Sequence, residues 1–163
     1  FNLWPETSRT ILVLLMFIGA CAGSTGGGIK VSRFIIACKS FIKEIISYLH
    51  PRSVKKIKIE GKPLEHETLR ATNVYFMTYM VIFAVSVLLV SIENKDLVTN
   101  FAAVAATFNN IGPGLSLVGP MENFGHFTDF TKYILMFDML AGRLEIFPMM
   151  LLFCPAVWKR RRA

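Results

Sequence analysis

The sequence has only three cysteines, and their positions exclude two common kinds of site. They lie in apolar segments, they are odd in number, and they lack the paired spacing of metal ligands. A zinc site and a disulfide framework are therefore not indicated. We expect the three thiols to be small core residues; they are Cys21, Cys38 and Cys154.

Histidine is equally scarce, and this argues against catalysis. His66 is followed by glutamate but lacks the second histidine of a zinc protease motif. The G-S-T-G segment at 23–26 would suit an intramembrane serine hydrolase only if a base lay at membrane depth. All three histidines fall in predicted loops: His50, His66 and His126. We therefore expect no enzyme and no bound cofactor.

The chain also lacks the polar composition of a soluble domain. It is 53% hydrophobic, and its apolar residues occur in blocks instead of alternating with polar ones. The net charge of +7 does not indicate a nucleic-acid partner, because the basic residues flank apolar spans as cytoplasmic segments do. We predict an all-α integral membrane protein. Because the sequence opens at Phe1 without a signal-peptide pattern, we expect it to be the C-terminal piece of a longer protein.

One apolar stretch is too short to cross a bilayer. Residues 97–107 can form a helix of about 16 Å, roughly half of a hydrocarbon core. Asp96 is a suitable N-cap, and the N-N-I-G-P-G run at 109–114 ends the helix. A backbone that stops halfway must line a water-filled or protein-lined space. We interpret 97–107 as a pore helix and 108–115 as an ion filter; the alternative is a helix-ending turn in an outer loop.

A second interruption divides an earlier apolar segment. The run C-A-G-S-T-G-G-G-I-K contains too many glycines for a continuous helix. It resembles a nucleotide-binding loop only superficially, because Ile29 occupies the position of the required lysine. We predict an intramembrane loop at 21–28 that can obstruct a water-filled passage. Close packing of helices through small residues is the alternative.

An arginine lies near the centre of the last predicted span. Placing an unpaired arginine there costs at least about 2.5–3.5 kcal/mol, so Arg143 should face an aqueous passage or a partner. The candidate partners are Glu145, Asp138 and the carbonyl groups of the 21–28 loop. A guanidinium beside a cation path is an electrostatic barrier, which suits a gate. A structural salt bridge between helices is the alternative.

These segments assemble into a consistent topology. Residues 1–49 are a broken transmembrane helix, and 50–70 are a basic cytoplasmic loop that could contain a small hairpin. Residues 71–92 are an outer helix, followed by the pore helix and filter, an outer loop and an inner helix at 130–158. Residues 159–163 are a basic tail. In this arrangement both strongly basic segments reach the same side of the membrane.

Three motifs together resemble the C-terminal part of the Trk/Ktr/HKT potassium transporters, with the closest likeness to the bacterial TrkH/TrkG branch. They are C-A-G-S-T-G-G-G-I-K, T-F-N-N-I-G-P-G-L and G-R-L-E-I-F, and H-P-R-S-V-K-K-I-K also resembles that branch. The resemblance implies four channel-like units, each with an outer helix, a pore helix and an inner helix. This chain would hold the broken inner helix of the third unit and all of the fourth.

The resemblance also implies roles for particular residues. Potassium would be bound by the backbone carbonyls of Asn110, Ile111 and Gly112, with Pro113 beside them. Arg143 matches the inner-helix arginine near the gating loop. The gating loop itself would consist of Gly23, Ser24, Thr25, Gly26, Gly27 and Gly28.

The partners that the resemblance implies are membrane lipid, a second copy in a homodimer, and a TrkA-like nucleotide-binding regulatory subunit at the cytoplasmic face. The location would be the bacterial inner membrane. Because three of the four filter segments are absent, we do not expect this chain alone to conduct. The leading hypothesis is potassium uptake. The alternatives are a sodium-permeable transporter of the same superfamily and a non-conducting membrane scaffold.

Overall fold

The computed structural model describes residues 3–21, 23–24, 26–50, 57–59, 62–144, 146–152 and 155. This part of the chain is mostly helical. Its helices are α1 (Glu6–Met16), α2 (Val31–Leu49), α3 (His66–Val90), α4 (Leu97–Phe108), α5 (Asp129–Leu144) and α6 (Ile146–Leu152). Single 3₁₀ turns follow α3 and interrupt the connection between α4 and α5.

Helix α3 is the longest element. Among the described residues, the helical stretch His66–Glu93 is the one that is long and apolar enough to cross a membrane by length and composition. It begins five residues before the span at 71–92, because an acidic residue in the first turn, Glu67, favours the positive end of the helix. His66, which we expected in a loop, is therefore the first residue of α3.

Helices α3 and α5 are antiparallel neighbours. The hydroxyl of Ser86 donates a 2.7 Å hydrogen bond to the Asp138 carboxylate in the middle of the pair. Further along, the rings of Tyr75 and Phe147 lie 6.1 Å apart. Residues 145, 153–154 and 156–163 lie outside the described part, and with them much of the last segment of the inner helix at 130–158 and the basic tail.

Helix α4 is short and enclosed. The side chain of Asp96 caps its first turn by accepting a 3.0 Å hydrogen bond from the Thr99 amide, as the sequence predicted. The 12 residues of the helix span about 18 Å. Its buried positions occur on every face, because α1, α3 and α5 all pack against it. They are Thr99, Asn100, Ala102, Ala103, Val104, Ala105, Ala106, Thr107 and Phe108.

Helix α2 has little contact with the rest of the described chain. Most of its large apolar side chains are exposed, and its buried residue is Ile36. Cys38 on this helix is exposed, as is Cys21. The expectation that the thiols are core residues is therefore wrong for these two, because the surfaces around them are not covered by other described elements. Cys154 lies outside the described residues.

A small hairpin follows α2, where the sequence suggested one. Strand β1 (Lys58–Ile59) pairs antiparallel with β2 (Lys62–Pro63). The ammonium group of Lys39 donates a 2.8 Å hydrogen bond to the Lys58 carbonyl, which fixes the hairpin to α2. Residues 51–56 and 60–61 of the basic segment lie outside the described part.

The core provides a direct test of the packing between α3 and α4. The buried Tyr79 hydroxyl donates a 2.8 Å hydrogen bond to the Asn109 side-chain oxygen. We expect Tyr79→Phe to destabilise the full-length gene product by about 1–3 kcal/mol, because that oxygen loses a donor inside the core. The measurement is thermal unfolding in detergent. Tyr133→Phe, at a side chain that is 69% exposed, is the matched control and should unfold like the wild type. Equal behaviour of the two variants would contradict the prediction.

Candidate functional site

The carboxyl end of α4 is closed by a Schellman motif. The Asn110 amide donates a 3.0 Å hydrogen bond to the Thr107 carbonyl, and the Ile111 amide donates a 2.9 Å hydrogen bond to the Ala106 carbonyl. Asn110 has a positive φ of 55°, the left-handed conformation that this motif requires. The helix therefore ends at a defined point, and two of the carbonyls that it would leave free, those of Ala106 and Thr107, are satisfied.

The chain turns back along α4 after this motif. The Gly114 amide donates a 2.7 Å hydrogen bond to the Val118 carbonyl. A methyl group added at Gly114 would lie 2.9 Å from the Ala102 carbonyl oxygen, in the middle of α4. Residues 111–115 thus run along the flank of the helix, toward the end from which it began.

The two ends of this excursion meet. The Thr128 amide and hydroxyl both donate to the Glu93 carboxylate, and the amide bond is 2.9 Å long. The ammonium group of Lys95 lies 5.3 Å from the ring centre of Phe127. The segment between α3 and α5 therefore enters and leaves at the same end of α3. At its deepest point Asn109 contacts Tyr79, which lies close to the midpoint of α3. This is a re-entrant arrangement.

The carbonyl groups after the motif have no competing donors. In the part of the chain that is described, no amide or hydroxyl donates to the carbonyl oxygens of Asn110, Ile111 or Gly112. Gly112 has φ of +102°, a conformation that side chains rarely adopt, and a methyl group added there would meet no atom within 4 Å. Pro113 beside it is exposed. These oxygens can accept a ligand without breaking a hydrogen bond.

The glycine loop (residues 21–28) is closed at its base. Ile18 and Ile29 form a parallel bridge, the Gly19 amide donates to the Ile29 carbonyl at 2.9 Å, and the Val31 amide donates to the Ala20 carbonyl at 3.1 Å. Within the loop, the Gly26 amide donates to the Ser24 hydroxyl at 3.1 Å. The loop is thus an excursion between α1 and α2 with fixed ends. Thr25 lies outside the described residues.

The glycine loop lies directly against the end of α4. A methyl group added at Gly27 would lie 2.6 Å from the Asn110 Cβ and 2.8 Å from the Asn109 carbonyl oxygen. One added at Gly28 would lie 3.2 Å from the Asn109 side-chain oxygen. Glycine is needed at Gly27 because its backbone approaches another backbone so closely. The structure therefore brings the predicted loop into contact with the predicted filter, through Asn109 and Asn110 and not through Gly112.

Helix α5 completes the site. A methyl group added at Gly142 would overlap the Phe108 carbonyl oxygen, so α4 ends against the backbone of α5 at this position. Arg143 follows immediately. It lines a cavity of about 470 Å³ together with Gly23, Ser24, Gly26 and Gly28 of the glycine loop. The predicted proximity of Arg143 to the loop is thus present in the fold, whereas its role in gating stays a prediction.

The same cavity contains residues that the sequence reasoning did not select. Lys30 and Arg33 line it, and the Arg33 guanidinium lies 4.0 Å from the ring centre of Tyr75. The signal that could have found them is their spacing, because residues three apart share one face of a helix. The cavity walls therefore bring three cationic side chains to one side of the glycine loop.

Asp138 is not a partner of Arg143. Its carboxylate is fully buried and accepts the Ser86 hydrogen bond between α5 and α3, away from the cavity. The reason is helical phase, since five residues separate Asp138 from Arg143 and place them on different faces. Glu145, the other acidic candidate, lies outside the described residues.

Comparisons with known proteins decide the family. The profile of the TrkH family, described as cation transport protein, matches residues 1–160. The chain belongs to the TrkH family. A Trk system potassium uptake protein TrkH from Salmonella typhimurium is 40% identical to it over 96% of this chain and 32% of the relative. The Trk system potassium uptake protein TrkG from Escherichia coli K12 is 35% identical over the same shares.

A solved structure agrees. The crystal structure of the potassium transporter TrkH from Vibrio parahaemolyticus matches with a TM-score of 0.84 and 39% identity, over 95% of this chain and 33% of that one. The predicted fold class is confirmed: the chain is an all-α integral membrane protein of the TrkH family, with an outer helix, a pore helix, an inner helix and a preceding broken helix. It spans about a third of the length of the curated relatives it matches.

The contact between α4 and α5 can be tested by one added methyl group. Gly142→Ala should destabilise the full-length gene product by about 1–3 kcal/mol or more, because the methyl group has no space against the Phe108 carbonyl. The measurement is thermal unfolding of the protein in detergent. Gly125→Ala, in the outer loop, is the control, because its methyl group meets only the side chain of Asn123. If Gly142→Ala unfolded like this control, the contact would not exist.

Proposed function

We propose that this chain is part of a protein that takes up potassium, with the ion passing along the carbonyl groups at 110–112. The observation that carries the proposal is the re-entrant segment, which turns beside the midpoint of α3 and presents carbonyl oxygens to which no described residue donates a hydrogen bond. The relatives are named potassium uptake proteins, which supports potassium as the substrate. The proposed location is the bacterial inner membrane.

The proposed filter works by replacing the water of the ion. Oxygens of Asn110, Ile111 and Gly112 compensate dehydration when they point at a narrow axis. The carboxyl end of α4 contributes the negative end of its dipole, which favours a cation. Glycine is suited to position 112 because most residues with a side chain do not adopt its φ of +102°. Three equivalent segments elsewhere in the whole protein would complete the ring.

The proposed gate is the glycine loop with the cations beside it. The loop lies against Asn109 and Asn110, so it obstructs the passage immediately beyond the filter. Arg143 adds positive charge to the cavity on the other side of the loop. A potassium ion must pass both obstacles, one steric and one electrostatic. Displacement of the loop opens the path.

The proposed partners act on the cytoplasmic side and within the membrane. The relatives are named as components of a Trk system, which supports a regulatory subunit. We assign a TrkA-like nucleotide-binding subunit to the basic loop at 52–62 and the C-terminus. We also propose a homodimer surrounded by lipid. Neither nucleic acid nor a bound cofactor takes part.

Rubidium uptake tests the function and the filter together. The full-length gene product, expressed in cells without other potassium uptake, should take up rubidium and restore growth at low potassium. Gly112→Ser should reduce rubidium-over-sodium discrimination by about tenfold, since a side chain at this φ costs on the order of 1–2 kcal/mol and shifts the adjoining carbonyls.

The control is Met121→Ser, which adds a serine to the outer loop after the filter, at a side chain that is 94% exposed. It should leave the ion ratio unchanged. Uptake that favours sodium would support a sodium-permeable transporter, and no uptake at normal expression would support a scaffold. An unchanged ratio in Gly112→Ser would remove Gly112 from the filter.

The charge of Arg143 should limit basal flux. Arg143→Gln is expected to raise rubidium uptake several-fold without the regulatory subunit, because the cavity loses one positive charge. Arg143→Lys keeps the charge and should retain the low flux. If Arg143 only forms a salt bridge that packs helices, neither variant should exceed the wild type in rubidium uptake. Both variants should then be less active and less stable than the wild type.

A further inference from the structure

The side chain of Asn110 lies where three elements meet. Its amide nitrogen donates a 3.1 Å hydrogen bond to the Met139 carbonyl on α5. The same nitrogen would be 2.8 Å from a methyl group added at Gly142 and 3.0 Å from one added at Gly27. The side chain thus touches the inner helix and the glycine loop, while its own backbone belongs to the end of the pore helix.

The backbone at Asn110 does not require asparagine. With φ of 55°, the residue occupies the left-handed position of the Schellman motif, where glycine is the usual residue. Asparagine tolerates this conformation but has no advantage over glycine there. The side chain is therefore needed for its contacts and not for the turn.

The contacts restrict how the loop can move. Gly27 lies so close to Asn109 and Asn110 that the loop has no space in which to advance toward the filter. The Asn110 side chain is restricted in its rotation, because it is hydrogen-bonded to the Met139 carbonyl. Met139, Asn110 and Gly27 thus form a continuous line of contacts from α5 to the glycine loop.

We propose that Asn110 is a positioning residue that seats the glycine loop against the end of the pore helix through its side chain. The inference rests on the proposed function and deepens it, because it separates two roles within one residue. The backbone carbonyl belongs to the filter. The side-chain amide holds the loop in the obstructing position and links it to the inner helix.

Asn110→Gly isolates the side-chain role. Glycine fits the backbone conformation, so the filter geometry is kept while the contacts with Gly27 and Met139 are lost. We expect basal rubidium uptake by the full-length gene product to rise at least about threefold, with an unchanged rubidium-to-sodium ratio. Unchanged uptake, or a loss of selectivity in parallel with uptake, would overturn the proposal.

A double-mutant cycle tests the contact itself. Gly27→Ala forces a methyl group against Asn110 and should alter uptake on its own. In the Asn110→Gly background this effect should become smaller but not vanish, because the clash with the Asn110 side chain is gone while the one with the Asn109 carbonyl oxygen remains. Effects that multiply independently would show that the two residues are not coupled.

Gly26→Ala is the matched control for the cycle. Its added methyl group would meet the Ala20 Cβ at 2.7 Å, at the base of the loop and away from the filter. Its effect should therefore be the same in both backgrounds. A control effect that also shrank in the Asn110→Gly background would indicate general loosening of the loop and would contradict the specific contact.

The outcomes distinguish this inference from the proposed function. If the wild-type protein takes up no rubidium above the empty-vector level, the proposed function fails and the inference fails with it. If the wild type takes up rubidium and the Asn110–Gly27 effects are independent, only the positioning role is wrong.

Discussion

Hydrocarbon cannot hydrogen-bond to a peptide group, and this constraint determines how a helix can stop halfway across a membrane. Helix α4 ends beside the midpoint of α3, and it is enclosed by α1, α3 and α5. The Schellman motif satisfies the carbonyls of Ala106 and Thr107, and the Asn109 side chain accepts a hydrogen bond from Tyr79. Protein atoms replace lipid around this end. Among the described residues, the carbonyls of Asn110, Ile111 and Gly112, which the proposed ion would use, have no hydrogen-bond donors.

The local features of this arrangement were predictable from sequence. The cap at Asp96 and the break after Phe108 depend on residues adjacent to the helix ends, so the position of α4 follows from short patterns. The hydrogen bonds that hold α4 and α5 in place do not follow from such short patterns. Tyr79 and Asn109 are 30 residues apart, and Ser86 and Asp138 are 52 apart. No periodicity specifies such pairs, because each depends on the phase of two helices.

The glycine loop shows what composition alone can and cannot predict. A run rich in glycine predicts an interruption, but the atoms it approaches are determined by the tertiary fold. Gly27 meets the end of the pore helix, whereas Gly142 on α5 meets the same end from another side. The cationic residues Lys30 and Arg33 join Arg143 only because α2 starts beside the loop. Chemistry that was distributed over three segments becomes one site.

The clamp between Glu93 and Thr128 has a consequence for how such segments diverge. The segment between these two residues starts and ends at one place, and the hydrogen bonds of the clamp fix the distance between its two ends. The buried part of the segment is tied to its surroundings, because α4 packs against α1, α3 and α5. Changes in length are accommodated more readily in the exposed turn around Met121, so related proteins should differ there before they differ in the filter.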